Sequence, residues 1–175
     1  MVQAKTPEMQ LALFLAQYTP EVAAQAEAIL NGMRKRYPYA TQLVYDNYNA
    51  LAIGFGPSER ASEAIFSVAL FPRWVNLFFL QGKGLPDPHA LLQGAGNRVR
   101  SIRVTSPAML DEPDIRALME EAVARATVPF DPKGKGKLVI KSISAKQRRR
   151  RPAESGSSRA ESKRRVRSAG LRPKG

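Results

Sequence analysis

The sequence predicts an α+β fold: a mostly antiparallel sheet of five to six strands, two N-terminal helices, one long late helix, and a disordered basic tail. Three observations carry this reading. Apolar residues recur at helical spacing over residues 22–37 and 115–126. They alternate at period two between residues 43 and 79, with Gly/Pro breaks between the alternating stretches. Beyond residue 145 only Val166 and Leu171 are large and apolar, and no aromatic occurs, so that segment lacks the means to offset its ordering entropy by burial.

The elements follow in order. A short helix fits Pro7 to Gln17. Thr19-Pro20-Glu21 then reads as an N-cap, a proline at the first helical position and an acidic first turn. The helix it opens places Val22, Ala26, Ile29, Leu30, Met33 and Tyr37 on one stripe, and Pro38 ends it. Leu43 and Tyr45 alternate, as do Leu51, Ile53 and Phe55; Gly56-Pro57-Ser58 closes that strand. Phe66, Val68 and Leu70 form the next, Pro72-Arg73 breaks it, and Val75, Leu77 and Phe79 form another. Gln81 to Pro88 is a loop, His89 to Gln93 a helical turn or two, and Gly94 to Asn97 a turn. Arg98 to Val104 is a strand with Ile102 and Val104 inward. Asp111 is expected to cap a helix whose stripe is Ile115, Leu118, Met119, Ala122, Val123 and Ala126. A last strand spans Lys137 to Ser142. This divides the chain into a folded domain, 1–144, and a tail, 145–175.

Charge divides the chain the same way. The 175 residues carry 28 Lys+Arg against 15 Asp+Glu, a net +13. Residues 1–130 hold 12 basic and 12 acidic side chains, whereas residues 131–175 hold 16 and 3. The absence of Cys excludes disulfides, thiolate metal sites and a thiol nucleophile, and a single His excludes paired-His metal motifs. The most apolar early run, Leu11 to Ala16, is too short to span a membrane and lacks the flanks of a secretory signal, so a cytoplasmic location is expected.

Several stretches together resemble the YdhG-like family, known as domain of unknown function 1801. They are Val44-Tyr45-Asp46-Asn47-Tyr48-Asn49, Ile53-Gly54-Phe55-Gly56-Pro57, Pro72-Arg73-Trp74-Val75-Asn76-Leu77-Phe78-Phe79, Leu85-Pro86-Asp87-Pro88, Leu91-Leu92-Gln93-Gly94-Ala95-Gly96 and Ile140 to Arg148. The resemblance runs from about Thr6 to Arg151. Where many members have Tyr-Gly-Met-Pro before the first hairpin, this chain has Tyr45-Asp46-Asn47-Tyr48. The family implies a small bacterial α+β domain without established catalytic residues. Some members carry a frataxin-like iron-chaperone label. That label makes iron the alternative cofactor and Asp111, Glu112 and Asp114 its alternative ligands, since hard cations favour carboxylates.

Catalytic constellations are weak. His89 has Asp87 near it in sequence but no nucleophile elbow, so no catalytic residue is assigned and a non-enzymatic role is expected. Gly94-x-Gly96 precedes a strand rather than a helix, so it reads as turn glycines and not as a phosphate loop. Tyr45, Tyr48 and Trp74 are candidates for a ligand cleft, and Arg98 and Arg100, expected on one strand face, for an anion site. The strongest feature is the tail. Lys146 with Arg148, Arg149, Arg150 and Arg151, then Lys163, Arg164, Arg165 and Arg167, form two clusters separated by a Pro/Ser/Gly spacer. Guanidinium forks match phosphate oxygens, and neutralising phosphates releases condensed counterions. The expected function is non-specific association with nucleic acid or another polyanion through this arm. The alternative is a frataxin-like carrier of iron or a small ligand, with the tail incidental.

Overall fold

The computed structural model describes residues 3–153. The elements run α1 (Pro7–Leu15), α2 (Pro20–Arg36), β1 (Thr41–Asp46), β2 (Leu51–Gly56), β3 (Phe66–Leu70), β4 (Val75–Phe79), β5 (Arg100–Val104), α3 (Pro113–Ala124) and β6 (Leu138–Ile143). The six strands form one sheet in the order β5-β4-β3-β2-β1-β6. The first five make an antiparallel meander. β6 returns after α3 and pairs parallel to β1, with a register shift between Val44 and Tyr45. The sheet is therefore mixed and mostly antiparallel.

One sheet face carries the core. Val44, Ile53, Val68, Leu77 and Ile102 lie across it in one row, and Leu51, Leu70, Val75 and Val104 in the next. α2 covers them with Val22, Ala26, Ile29, Leu30 and Met33, and α3 adds Ile115, Leu118 and Met119. Thr19 caps α2 as its sequence suggests, its hydroxyl accepting from the Val22 amide at 3.3 Å. Tyr18, just before that cap, clamps the sheet. Its hydroxyl donates to the Leu70 carbonyl and accepts from the Leu51 amide, each at 3.1 Å. Burial pushes this phenol above its usual range, with Arg150 opposing, so the donor proton is retained.

The opposite face is built from small residues at its centre, among them Ala52, Gly54, Ser67 and Ala69. The turn at Ala61–Glu63 lies close against it: a Cβ on Gly56 would sit 2.9 Å from the Ala64 backbone, so only glycine admits this approach. Leu43 and Val44 are consequently both buried, on opposite faces of β1. β6 is tied to the same turn region by Lys137, whose ammonium bonds Glu59 and holds that carboxyl below its usual range.

Several expectations need correction. α3 has 12 residues and α2 has 17, so the long helix is the second one. Asp111 does not cap α3. That helix starts at Pro113 with Glu112 in the capping position and no side-chain cap bond, since the proline has already removed one N–H needing a partner. Asp111 instead pairs with Arg36 at 2.7 Å. α1 stops at Leu15, short of Gln17. Residues 89–93 form no helix: Asp87 accepts from the Leu91 and Leu92 amides at 2.9 and 2.8 Å, and Ala90 takes a left-handed φ of 52°. The first residues of the expected tail are attached to the fold: Arg148, Arg150 and Arg151 are hydrogen-bonded to Tyr48, Asp46, Asn47, Gln17 and Ala16. Residues 154–175, with the rest of the expected disordered tail, lie outside the described residues.

Leu118 is 2% exposed. Leu118→Ala is therefore expected to destabilise by about 2–5 kcal/mol in chemical denaturation, through lost transfer energy and a residual cavity. Asp111→Ala, which removes the exposed partner of the Arg36 pair, is expected to cost about 1 kcal/mol or less. A neutral Leu118→Ala would contradict this account of the core.

Candidate functional site: an anchored basic arm

β1 ends at Asp46, and the β1–β2 turn follows through Asn47, Tyr48 and Asn49. β6 runs parallel beside β1, so the chain leaves β6 at the same end of the sheet. The Ser144 amide donates to the Asp46 carbonyl at 2.8 Å, and the Arg148 amide to the Tyr48 carbonyl at 2.8 Å. The Gln147 side-chain amide also reaches the Asp46 carbonyl, at 3.3 Å. These bonds lay residues 144–148 along the β1–β2 turn.

Arg150 completes the attachment. It is 5% exposed and its Nη2 bonds the carboxylate of Asp46, itself 2% exposed, at 2.8 Å. The same nitrogen donates to the Asn47 carbonyl. The guanidinium carbon lies 5.7 Å from the Tyr18 ring centroid, which gives a buried cation an aromatic face. Arg150 Nε and Nη1 are buried and have no hydrogen-bond partner among the described residues. Arg151 adds a second attachment, its Nε donating to the Gln17 carbonyl at 3.2 Å and its Nη2 to the Ala16 carbonyl at 3.4 Å. α1 has no basic residue in its last turn, so Arg151 supplies from a distance the cation that a helix C-terminus favours.

The four consecutive arginines therefore differ in role. Arg150 and Arg151 hold the chain. Arg148 and Arg149, with Lys146, are exposed, and none of their side chains makes a hydrogen bond or ion pair among the described residues. Arg148 stands 5.6 Å over the ring of Tyr48, which is 49% exposed. Tyr48 thus gives the arm an aromatic neighbour that its own sequence lacks. Lys163, Arg164, Arg165 and Arg167 lie outside the described residues.

The remaining candidates are not brought together. Tyr45 lies on the outer sheet face, its hydroxyl buried and without a hydrogen-bond partner among the described residues, and burial raises its pKa. Trp74 sits at the β3–β4 turn, its ring tilted by 33° against that of Phe71, with Arg103 4.2 Å over its ring. Arg98 and Arg100 do not form one anion site. Arg98 is exposed at the rim of a cleft, whereas Arg100 turns its Nη1 to the carbonyls of Gly96 and Val99, at 2.6 and 2.8 Å. Among the described residues, no three His, Cys, Asp or Glu side chains converge to hold a metal ion. Asp111 is drawn to Arg36, and Asp114 lies 3.6 Å from His89. No helix among the described residues is long and apolar enough to cross a membrane. No family model matches the chain, and neither a curated protein nor a solved structure matches it.

Removing one partner of a buried ion pair costs about 3–5 kcal/mol when the other stays buried. Here the arm can peel away and hydrate Asp46, so Arg150→Gln is expected to cost about 1–3 kcal/mol, the scale of lost charge-assisted hydrogen bonds. The more diagnostic readout is limited trypsin digestion followed by mass determination. Wild type should resist cleavage after Lys146, Arg148 and Arg149, and Arg150→Gln should be cut there rapidly. Identical limit fragments would show that Arg150 does not hold the arm.

Proposed function

We propose that this chain is a non-enzymatic, cytoplasmic, nucleic-acid-associating protein whose folded domain presents a basic arm at one end of its sheet. The observation that carries the reading is the exposed trio Lys146, Arg148 and Arg149, free of carboxylate partners among the described residues and set on a segment fixed by Arg150. The arm-bearing part of the sequence supports it, since residues 145–175 hold 12 basic and 2 acidic side chains. Membership of the YdhG-like family belongs to this reading, supported by the strings from Val44 to Arg148 quoted above.

Fixing the start of the arm has a physical use. Cations held on a folded surface lose less freedom on meeting phosphates than cations on a free chain. Each neutralised phosphate releases counterions, whatever the bases, so binding is salt-dependent and indifferent to sequence. A carrier role for the core rests on a separate feature, the cleft described below.

The test is a salt titration of the full chain on two unrelated duplexes. Each phosphate contact contributes about −0.9 to the slope of log K against log salt. Arg148→Gln with Arg149→Gln should therefore make the slope shallower by about 2 and weaken both duplexes equally. A salt-independent affinity, or a strong preference for one duplex, would overturn the reading.

A further inference from the structure

A half-open cleft of about 670 Å³ lies between the end of α3, the turn before β3 and the loop after β4, at the opposite end of the sheet from the β1–β2 turn that carries the arm. Three cations from three separate parts of the chain line it: Lys83, Arg98 and Arg125. The loop at 82–84 gathers them. The Lys83 amide donates to the Arg98 carbonyl at 3.0 Å, which sets these two residues side by side. Arg125 Nη1 donates to the Gly84 carbonyl at 2.8 Å, which ties the end of α3 to the same loop. Gly82 permits the approach, since a Cβ there would lie 2.6 Å from the Arg100 Cβ.

Two of the three charges so gathered, those of Lys83 and Arg98, have no carboxylate partner among the described residues, and their side chains make no hydrogen bond there. Arg125 spends its Nε on Glu121 at 2.6 Å, and its Nη2 makes no hydrogen bond among the described residues. Glu63 is the one carboxylate among the lining residues, and it is already held by the Ser58 hydroxyl and by Arg60 at 3.7 Å. Positioning like charges around one cleft is unfavourable unless an anion relieves it. The cleft also has apolar wall from Ile65 and Ala126, which suits the organic body of a ligand rather than a bare ion.

We propose that this cleft binds a small organic phosphate monoester, its doubly charged head among Lys83, Arg98 and Arg125 and its apolar body against Ile65 and Ala126. The proposal uses no residue of the basic arm. Lys83 and Arg98 are exposed, so their replacement leaves the fold intact.

The experiment titrates the full chain with phenyl phosphate, and separately with inorganic phosphate, following backbone amide resonances. Phenyl phosphate should shift the amides of Lys83, Arg98 and Arg125 and bind about tenfold more tightly than inorganic phosphate, through burial of its ring. Lys83→Gln and Arg98→Gln should each weaken it about tenfold, the scale of one charge-assisted hydrogen bond. Arg148→Gln with Arg149→Gln should leave it unchanged. Equal affinity for the two probes, shifts confined to residues 144–153, an equal loss in the arm variant, or no saturation by about 10 mM would each overturn the proposal.

Discussion

Asp46 is the point on which the basic end of the molecule depends. Its carbonyl receives the Ser144 amide and the Gln147 side chain, and its carboxylate receives Arg150. Strand β1, strand β6 and the arm therefore meet at one residue. The position is buried, so the carboxylate has no water to solvate it and the guanidinium becomes the counter-charge that the fold requires. The remaining donor nitrogens of Arg150, Nε and Nη1, face no acceptor among the described residues. The face of Tyr18 lies beside it, and Tyr18 is the same residue that clamps β2 to β3 through its hydroxyl. The pair is thus bound to the sheet's own hydrogen-bonding, and each side is costly to leave without the other.

That constraint divides the basic residues. Net charge alone treats the four consecutive arginines as equivalent, yet the structure uses two of them as anchors and leaves two facing solvent. The anchors neutralise local negative potential, a buried carboxylate in one case and a helix C-terminus in the other. The exposed ones remain available to a polyanion. A molecule arranged in this way presents its exposed cations at a defined place on the fold, beside Tyr48.

Much of the architecture was legible because burial on one face imposes a period. Leu51, Ile53 and Phe55 alternate, as do Phe66, Val68 and Leu70, and each set lies on the core face. The stripe of α2 was legible for the same reason. β1 was harder, since Leu43 and Val44 are both buried and mask the alternation. The parallel edge strand carried no orientation signal, because a period of two does not distinguish parallel from antiparallel pairing. Asp111 misled because Pro113 starts α3 one position later than the acidic residue suggests. The burial of Arg150 ran against what an arginine run ordinarily does. One signal pointed to it: Asp46 is a lone charge at the end of an otherwise uncharged strand and needed a partner from elsewhere. The three cations of the cleft are far apart in sequence, and backbone hydrogen bonds of the 82–84 loop bring them together, which no local pattern encodes.

The central claim is that the arm begins as part of the fold. Hydrogen exchange at the Arg148 amide tests it most directly, because that N–H is bonded to the Tyr48 carbonyl at 2.8 Å and reports docking without any substitution. The account predicts exchange slowed by about a hundredfold or more relative to an unstructured chain, comparable to the Ser144 amide beside it. Exchange of the Arg148 amide at the unstructured rate, with Ser144 still protected, would contradict it.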